Sequence, residues 1–223
     1  MKKCLMLALV SACAAVAQAV TIEWTQVAQG ATSAGSTNAK LDMYADRSAV
    51  VAANITYGAT VGTGTVLSVG KEAGVNVFSA TIDANGNYTL TVNGTRGGTT
   101  TTGTTVAATA GQTQLVALSF YRSAGGTTMA VAELSVDGVV IATVKNSTIT
   151  AGPMKWIEWG RKLGNTDIYS GSATYDVYAV QGDGNAAQYS ASDIAASPPV
   201  PEPTALALLA LGVAGLALRR KCA

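Results

Sequence analysis

The sequence predicts an all-β fold, a two-sheet antiparallel β-sandwich, for most of its 223 residues. Between residues 20 and 196, short runs of alternating apolar and polar residues are separated by Gly, Asn, Asp and Thr turns. No stretch in this span keeps the 3.6-residue apolar period of an amphipathic helix. The two ends differ from this middle in charge and hydropathy, and they predict targeting segments.

Ten strands or more are predicted in chain order. The first covers residues 21–27, two more lie within residues 40–57, and a short buried run follows at 66–69. The remaining predicted strands cover residues 76–82, 87–93, 114–121, 129–136, 139–144, 155–160 and 173–180. Two connections are tight hairpins, because Asn85-Gly86 and Asp137-Gly138 supply the positive φ angles that such turns need. The Thr-rich residues 99–105 are predicted to form an exposed loop of low complexity.

The N-terminus has the three parts of a secretory signal peptide. A pair of lysines precedes an uncharged apolar run at residues 4–16. Ala17 and Ala19 then fit the small-x-small rule of signal peptidase. Residues 1–19 are therefore predicted to form a signal helix that is removed, so that the mature chain begins at Val20.

Two alternatives stay open for this segment. It forms either a helix buried in the core, or a lipoprotein signal in which Cys13 of Val10-Ser11-Ala12-Cys13 is lipidated. If both ends are processed, Cys4, Cys13 and Cys222 leave with the terminal segments, and the mature domain contains no cysteine. Its stability then depends on an apolar core, and it needs no oxidising compartment.

The C-terminus combines a proline-rich linker, an apolar segment and basic residues. Residues 197–203 contain four prolines and cannot sustain a helix, so they are predicted to form a stiff spacer. Residues 204–218 are uncharged, and as a transmembrane helix they reach about 22 Å, against a hydrocarbon core of roughly 30 Å. Snorkelling and local thinning can close this gap. The basic tail, residues 219–223 with Arg219, Arg220 and Lys221, places the C-terminus in the cytoplasm.

The residues Val200, Pro201, Glu202 and Pro203, followed by an apolar helix and an Arg-rich end, resemble the PEP-CTERM sorting signal of exported Gram-negative proteins. The match covers about 24 residues and departs from the family at its last two, because the family usually stops on a basic residue. The resemblance implies processing by an exosortase, a membrane-embedded cysteine transpeptidase. The product is then released or transferred to an envelope component. A single-pass tail anchor without processing is the alternative.

The middle of the chain resembles the laminin-G-like branch of the concanavalin A-like jelly rolls. This resemblance is carried by residues 64–70, 114–121, 134–139, 157–160, 175–178 and 189–194. It spans about residues 22–196, and it implies two stacked antiparallel sheets, a short final turn of helix and a concave face that relatives use for sugars or proteins. Relatives often hold calcium on loop aspartates, but Asp167, Asp176 and Asp183 form no spaced cluster, so no metal ligands are assigned.

The charge of the middle excludes several classes of function. Nine basic and twelve acidic residues lie between residues 20 and 199, so this span has a net charge of −3. It lacks the basic face that nucleic-acid binding requires. The sequence contains no histidine, which excludes His-based catalytic triads, His metal sites and His pH switches.

No catalytic residues are predicted. Glycosidases of this architecture place two carboxylates about 5 to 10 Å apart, at alternate positions of a strand. The closest approach to this pattern, Glu133 and Asp137, ends in a turn aspartate, and no serine has an activating base. The protein is therefore predicted to be non-enzymatic. A glycan hydrolysis that is abolished in Glu133→Gln or Glu158→Gln would support a secreted glycanase instead.

The segment Trp156-Ile157-Glu158-Trp159 is the best candidate for ligand binding. Period two places Trp156 and Glu158 on one face of a strand, and Ile157 and Trp159 on the other. One indole is therefore expected in the core. The other is available to stack on a sugar ring, with Glu158 and Arg161 for its hydroxyls. Burial of Trp156 under a loop is the alternative.

Together these features predict an exported protein. Its precursor is anchored in the inner membrane through residues 204–218, and its product belongs to the cell envelope, the surface or the extracellular matrix. The sandwich, residues 20–196, is expected to bind carbohydrate, for example a polysaccharide, or another surface component. A ligand-free structural or assembly role is the alternative from a different class.

Overall fold

Alternating apolar and polar residues build two antiparallel sheets, which confirms the predicted sandwich. The computed structural model describes residues 20–43, 47–72, 75–93, 99–122, 130–146, 152–162, 167–183 and 188–200. Their strands are β1 (Thr25–Ala31), β2 (Gly35–Met43), β3 (Arg47–Tyr57), β4 (Gly64–Glu72), β5 (Val75–Ile82), β6 (Asn87–Asn93), β7 (Thr99–Ala107), β8 (Thr113–Arg122), β9 (Ala130–Val136), β10 (Val139–Asn146), β11 (Gly152–Trp159) and β12 (Ala173–Asp183). A helix, α1 (Ala191–Ala196), follows them.

Each sheet has six strands in the described part of the chain. Sheet A has the order β1-β12-β3-β8-β9-β10, and sheet B has the order β2-β11-β4-β5-β6-β7. The strands alternate because one face of each sheet is packed against the other sheet. In β6, for example, Tyr88, Leu90 and Val92 are buried, whereas the residues between them are half-buried. The apolar face of each sheet therefore points into a shared core, and each sheet also has an outer face.

Aromatic side chains join the two sheets across this core. Phe78 of β5 stacks on Phe120 of β8, with ring centroids 4.9 Å apart. The hydroxyl oxygens of Tyr57 and Tyr88 lie 2.8 Å apart, and the Tyr88 hydroxyl donates to Gln114 Oε1 at 3.0 Å. Because buried polar groups are costly unless paired, these contacts fix the sheets in one relative position.

Both predicted hairpin turns are present. Between β5 and β6, the Asp83 carboxylate accepts the backbone N–H groups of Asn85 and Asn87, and Gly86 has a φ of 81°. Between β9 and β10, Asp137 and Gly138 both have positive φ, at 48° and 81°. This pair of positive angles is the geometry of the tight hairpin turns that favour Asp-Gly.

The Thr-rich residues 99–105, predicted to be a loop, instead belong to the edge strand β7. Threonine is β-branched and favours extended backbone, so a run of it pairs readily with a neighbouring strand. β7 pairs with β6, and the hydroxyls of Thr91 and Thr101 lie 3.1 Å apart across the two strands. The prediction was correct that this segment is largely exposed, but wrong about its backbone.

The first strand also begins later than predicted, at Thr25 instead of residue 21. Residues 20–24 lie instead on the outer face of sheet A, next to α1. The helix has a capping box, in which Ser190 accepts the Asp193 N–H and the Asp193 carboxylate accepts the Ser190 N–H. Ile194 is its buried residue, with 1% of its surface exposed.

The predicted targeting segments fall largely outside the described residues. These segments are the signal peptide 1–19, the motif residues 201–203, the transmembrane helix 204–218 and the tail 219–223. Within the part that the structure describes, no helix has the length and apolar character that a membrane crossing requires.

Candidate functional site

The candidate binding segment lies in β11, an interior strand of sheet B. β11 pairs with β2 on one side and with β4 on the other. Ile157 and Trp159 point into the core with 1% and 8% exposure, and Trp156 and Glu158 share the outer face. The predicted alternation is confirmed, and Trp159 is the indole that belongs to the core.

Trp159 is held tightly where it enters the core. Its indole N–H donates to the Ser33 carbonyl at 3.1 Å. Gly35 lies opposite Trp159 in the register of β2, and a Cβ atom at Gly35 would lie 2.4 Å from the indole Cζ2. Only glycine leaves room for the ring here, so the position of β11 is fixed against β2.

Glu158 is buried although it lies on the outer face. Only 2% of its surface is exposed, and its Oε1 lies 3.4 Å from the Arg161 Nε. Its Oε2 has no hydrogen-bond partner among the described residues. Burial raises the pKa of the Glu158 carboxyl, and the Arg161 guanidinium opposes this rise. The carboxylate therefore holds Arg161 in place and does not face solvent.

Arg161 lies across the outer face above β11. One of its terminal nitrogens donates to the Ser36 hydroxyl of β2 at 2.9 Å, and its backbone carbonyl accepts the Ser68 hydroxyl of β4 at 3.3 Å. About a quarter of its side chain is exposed. The Arg161 side chain is thus positioned from both sides while about a quarter of it stays exposed.

Small polar side chains continue across the outer face of sheet B. The register aligns one row of residues over all six strands: Ser36, Glu158, Ser68, Ser79, Thr91 and Thr101. Ser68 and Ser79 in the middle of the row are buried, whereas Ser36 and Thr101 at its ends are exposed. The open parts of this row are therefore at β2 and, on the other side, at β7.

Trp156 is half-buried at the β2 side of this face. It lies in register between Asn38 of β2 and Gly70 of β4, and Asn38 is exposed. Glycine presents no side chain beside the indole on β4, so the ring has room along the sheet. Lys155, next in the chain, is exposed. The structure thus brings Trp156 and Arg161 to one surface with Asn38 and Ser36, which we call the Trp156 shelf.

A cleft opens beside the shelf, between β1, β2 and β12. Its volume is about 320 Å³, and its lining consists of Thr25, Gln26, Val27, Thr37, Asn38, Leu41, Ala179 and Gln181. The side chains are amides, hydroxyls and aliphatic groups, which suit uncharged hydroxyls on a ligand. Asn38 connects the cleft with the shelf. Sequence reasoning missed Ser36 and Asn38, because Ser and Asn in a Thr-rich chain carry no local signal of their own.

Two of the three aspartates that were candidates for calcium, Asp167 and Asp176, are held by separate hydrogen bonds. The Asp167 carboxylate accepts the Thr65 hydroxyl at 2.7 Å, and Asp176, which lies within β12, accepts the Gly30 N–H at 2.7 Å. The side chain of Asp183 lies outside the description. No three metal-ligating side chains converge within the described ranges.

The carboxylates considered for glycan hydrolysis do not meet. Glu133 lies on the outer face of sheet A and accepts the Tyr121 hydroxyl at 3.2 Å, and Asp137 belongs to the hairpin turn that follows. Glu158 lies on the outer face of sheet B. Stacked sheets are about 10 Å apart, so two outer-face carboxylates of opposite sheets are farther apart than a catalytic pair requires.

Comparisons with known proteins identify the C-terminal segment. Residues 199–221 match the model of the PEP-CTERM protein-sorting motif. This confirms the motif predicted around Pro201, Glu202 and Pro203. It implies that the protein is exported, sorted to the cell envelope or surface, and processed by an exosortase. The comparison with curated proteins gave no match.

Solved structures with a similar fold are β-sandwiches. Trypanosoma rangeli sialidase in complex with the inhibitor DANA is 16% identical, with a TM-score of 0.49 over 77% of this chain. A glucuronan lyase from Trichoderma reesei is 12% identical, covering 71% of this chain and 79% of its own, with a TM-score of 0.45. The ligand-binding domain of botulinum neurotoxin serotype D in complex with N-acetylneuraminic acid is 11% identical over 78% of this chain and 45% of its own, with a TM-score of 0.44.

The chain spans only about a quarter of the sialidase, 27% of its length. At these identities and TM-scores, the likeness describes the sandwich and carries no argument about activity. The laminin-G-like assignment stays a prediction.

Proposed function

We propose that this protein is a non-enzymatic component of the cell envelope, surface or matrix that binds polysaccharide through the Trp156 shelf. The observation that carries the proposal is the half-buried indole of Trp156 on a sheet face that also carries Ser36, Asn38 and Arg161. An indole with one accessible face stacks on the apolar face of a sugar ring, and neighbouring amides, hydroxyls and a guanidinium bind its hydroxyls.

The charges around the shelf favour acidic polysaccharides over neutral ones. Among the described side chains beside Trp156, Lys155 is exposed and Arg161 is partly exposed, whereas the carboxylate of Glu158 is buried. The charge presented to a ligand here is therefore positive, although the domain as a whole is acidic. A guanidinium held by Glu158 and Ser36 is already oriented for a carboxylate, so little side-chain entropy is lost on binding.

Binding of the purified protein to a panel of neutral and acidic polysaccharides tests this proposal. We expect the wild type to bind an acidic member, and Trp156→Ala to raise the Kd at least tenfold, which corresponds to about 1.4 kcal/mol. Thr101→Ala, at the far end of the same polar row, is the matched control and leaves the Kd unchanged. Absence of binding to every polysaccharide, or equal affinity of Trp156→Ala, would contradict the proposal.

The geometry of the carboxylates supports the non-enzymatic part of the proposal. Glu158 is buried against Arg161, and Glu133 lies on the opposite side of the sandwich, so neither has a partner for general acid and base catalysis among the described residues. Hydrolysis of any panel member that Glu133→Gln or Glu158→Gln abolishes would contradict this part.

A ligand-free assembly role is the second candidate, and the edge strand β7 favours it. β7 contains no charge and no proline, the usual protection of an edge strand, and its residues are largely exposed. Val139 and Val140 of the neighbouring edge strand β10 are also exposed, at 63% and 44%. If this role is correct, the protein self-associates in sedimentation experiments without any glycan, and Thr102→Lys makes it monomeric.

A further inference from the structure

Both ends of the described chain meet on the outer face of sheet A, far from the Trp156 shelf. The residues 188–200, which we call the C-terminal strap, lie there beside residues 20–24. They cover a second apolar cluster that consists of Ile22, Val50, Ala52, Leu115, Ala117, Val180 and Ile194, with Trp24 and Tyr189 packed against it. Nothing in the proposed binding function uses this cluster.

Three hydrogen bonds anchor the end of the strap. The Trp24 indole N–H donates to the Ser197 carbonyl at 2.8 Å, and the Ile22 backbone N–H donates to the Ser197 hydroxyl at 3.4 Å. The Asn54 side-chain amide donates to the Pro199 carbonyl at 2.9 Å. Pro199 itself is buried. The chain is therefore held on the sandwich up to Pro199, within the segment that sequence patterning predicts to be a stiff spacer.

The sorting motif begins where the strap is anchored. Its match starts at residue 199, and only three residues separate Pro199 from Pro203. An extended chain advances about 3.3 Å per residue, so at most about 13 Å of chain connects the anchored Pro199 with the last proline of the motif. As long as the strap is docked, an enzyme that binds the motif in extended form must therefore bind it next to the surface of the folded domain, where access is restricted.

We propose that Trp24 and Asn54 are positioning residues that restrain C-terminal processing, which takes place from a state in which the strap has released its anchors. This inference rests on the envelope, surface or matrix location in the proposed function and on the exosortase processing that the sorting motif implies. A segment packed on a folded surface is cleaved through local opening, and the rate follows the population of the open state when reclosing is fast. Each anchor that is removed therefore increases the rate of processing.

Pulse–chase experiments on the full-length chain in its producing cells measure this rate as the half-life of the precursor. Asn54→Asp is nearly isosteric and replaces the donor with an acceptor, and Trp24→Phe keeps an aromatic ring without the N–H. We expect each to shorten the half-life about three- to tenfold, the effect of one net hydrogen bond. Thr56→Val is the matched control, because it removes a side-chain hydrogen bond, to Thr113, on the same strand as Asn54 without touching the strap.

An insertion after the strap tests whether the short distance between the strap and the motif limits processing, while the anchors of the strap stay intact. Six Gly and Ser residues placed after Val200 lengthen the tether without touching an anchor. We expect this insertion to shorten the precursor half-life as well, and Asn54→Asp to have no further effect in its presence. Hydrogen exchange on the full-length precursor checks that Asn54→Asp loosens the strap alone, with faster exchange in Ala191–Ala196 and unchanged protection in the strands.

The outcomes distinguish this inference from the proposed function. If exchange of the strap rises but the half-lives stay equal or lengthen, the strap does not restrain processing and the inference is overturned. If the insertion also leaves the half-life unchanged, the distance between the strap and the motif does not limit processing, and the inference is again overturned. If the wild-type chain keeps its C-terminus through Ala223, the exosortase processing that the sorting motif implies does not occur and the inference fails, whereas polysaccharide binding by the Trp156 shelf is unaffected.

Discussion

Replacement of Arg161 by methionine tests whether the guanidinium compensates the buried negative charge of Glu158. The carboxylate is 2% exposed, and the Arg161 guanidinium, 3.4 Å away, is its charged partner among the described residues. Methionine preserves much of the side-chain volume and removes the charge. The variant therefore leaves a buried carboxylate without compensation, which is the costly half of a broken ion pair.

The expected loss follows from this geometry. Two unit charges 3.4 Å apart attract by about 5 kcal/mol at an effective dielectric constant near 20. A quarter of the arginine side chain is exposed, so water replaces part of this attraction in the variant. We expect a loss of about 2 kcal/mol at pH 7, below the 3–5 kcal/mol of fully buried pairs, or a Tm lower by roughly 4–8 °C.

The stability that Arg161→Met loses should increase as the pH rises. Burial raises the pKa of the Glu158 carboxyl in the folded state, so the folded protein holds a proton that the unfolded chain releases at lower pH. Stability from this group is therefore complete below its unfolded pKa near 4.3 and declines as the pH rises through the folded value. Without Arg161 the folded pKa rises further. The difference between Arg161→Met and the wild type is thus small near pH 4 and large above pH 7.

Chemical denaturation of both proteins between pH 4 and pH 8 measures this difference. Glu158→Gln in the Arg161→Met background removes the uncompensated charge and should restore most of the lost stability. Lys155→Met, an exposed cation on the same strand, is the control and should change stability by less than about 0.5 kcal/mol. An equal loss at pH 4 and pH 8, or no recovery in the double variant, would refute the reasoning.

Two further predictions concern the core. Gly35→Ala places a Cβ atom 2.4 Å from the Trp159 indole, and we expect a loss of about 1–3 kcal/mol with a changed near-ultraviolet circular dichroism of the indole; an unchanged spectrum and Tm would count against the tight packing. Burial raises the pKa of Tyr57, Tyr88 and Tyr175, and that of Tyr178 to about 12. The unfolded chain loses these protons near pH 10, so the free energy of unfolding should fall between pH 10 and pH 12. A midpoint of denaturation that stays constant over this range would contradict it.

Local patterns in the sequence predict much of this fold, and their limits are specific. The hairpin turns at Asn85-Gly86 and Asp137-Gly138 are correct because turn chemistry is local. The Thr-rich strand β7 is not predicted, because a run of low complexity is also typical of loops, whereas threonine favours extended backbone. The alternation in β11 assigns Glu158 to the outer face, but it contains no information about what covers that face.

That cover comes from the chain after β11, which returns over β4. Ser68 donates to the Arg161 carbonyl, and Thr65 donates to Asp167, 102 residues later. The anchors of the strap are even farther in sequence from the residues that they bind. Nothing in the local sequence around Asn54 distinguishes it from other polar residues of a Thr-rich chain, and its bond to Pro199 spans 145 residues. Such contacts cannot be predicted from local sequence patterns, because they form only when the two sheets are assembled.

The bond between Trp24 and Ser197, which spans 173 residues, also has a consequence for the order of folding. Hairpins with short loops close early, whereas contacts between the two ends of a chain close late, because a longer loop costs more entropy. An exported chain emerges from its N-terminus, so Trp24 reaches the outside long before Ser197. Until then Val50, Ala52 and Ala117 are without the cover of Ile194. Newly exported chains therefore present this apolar surface until residues 188–200 arrive and cover it.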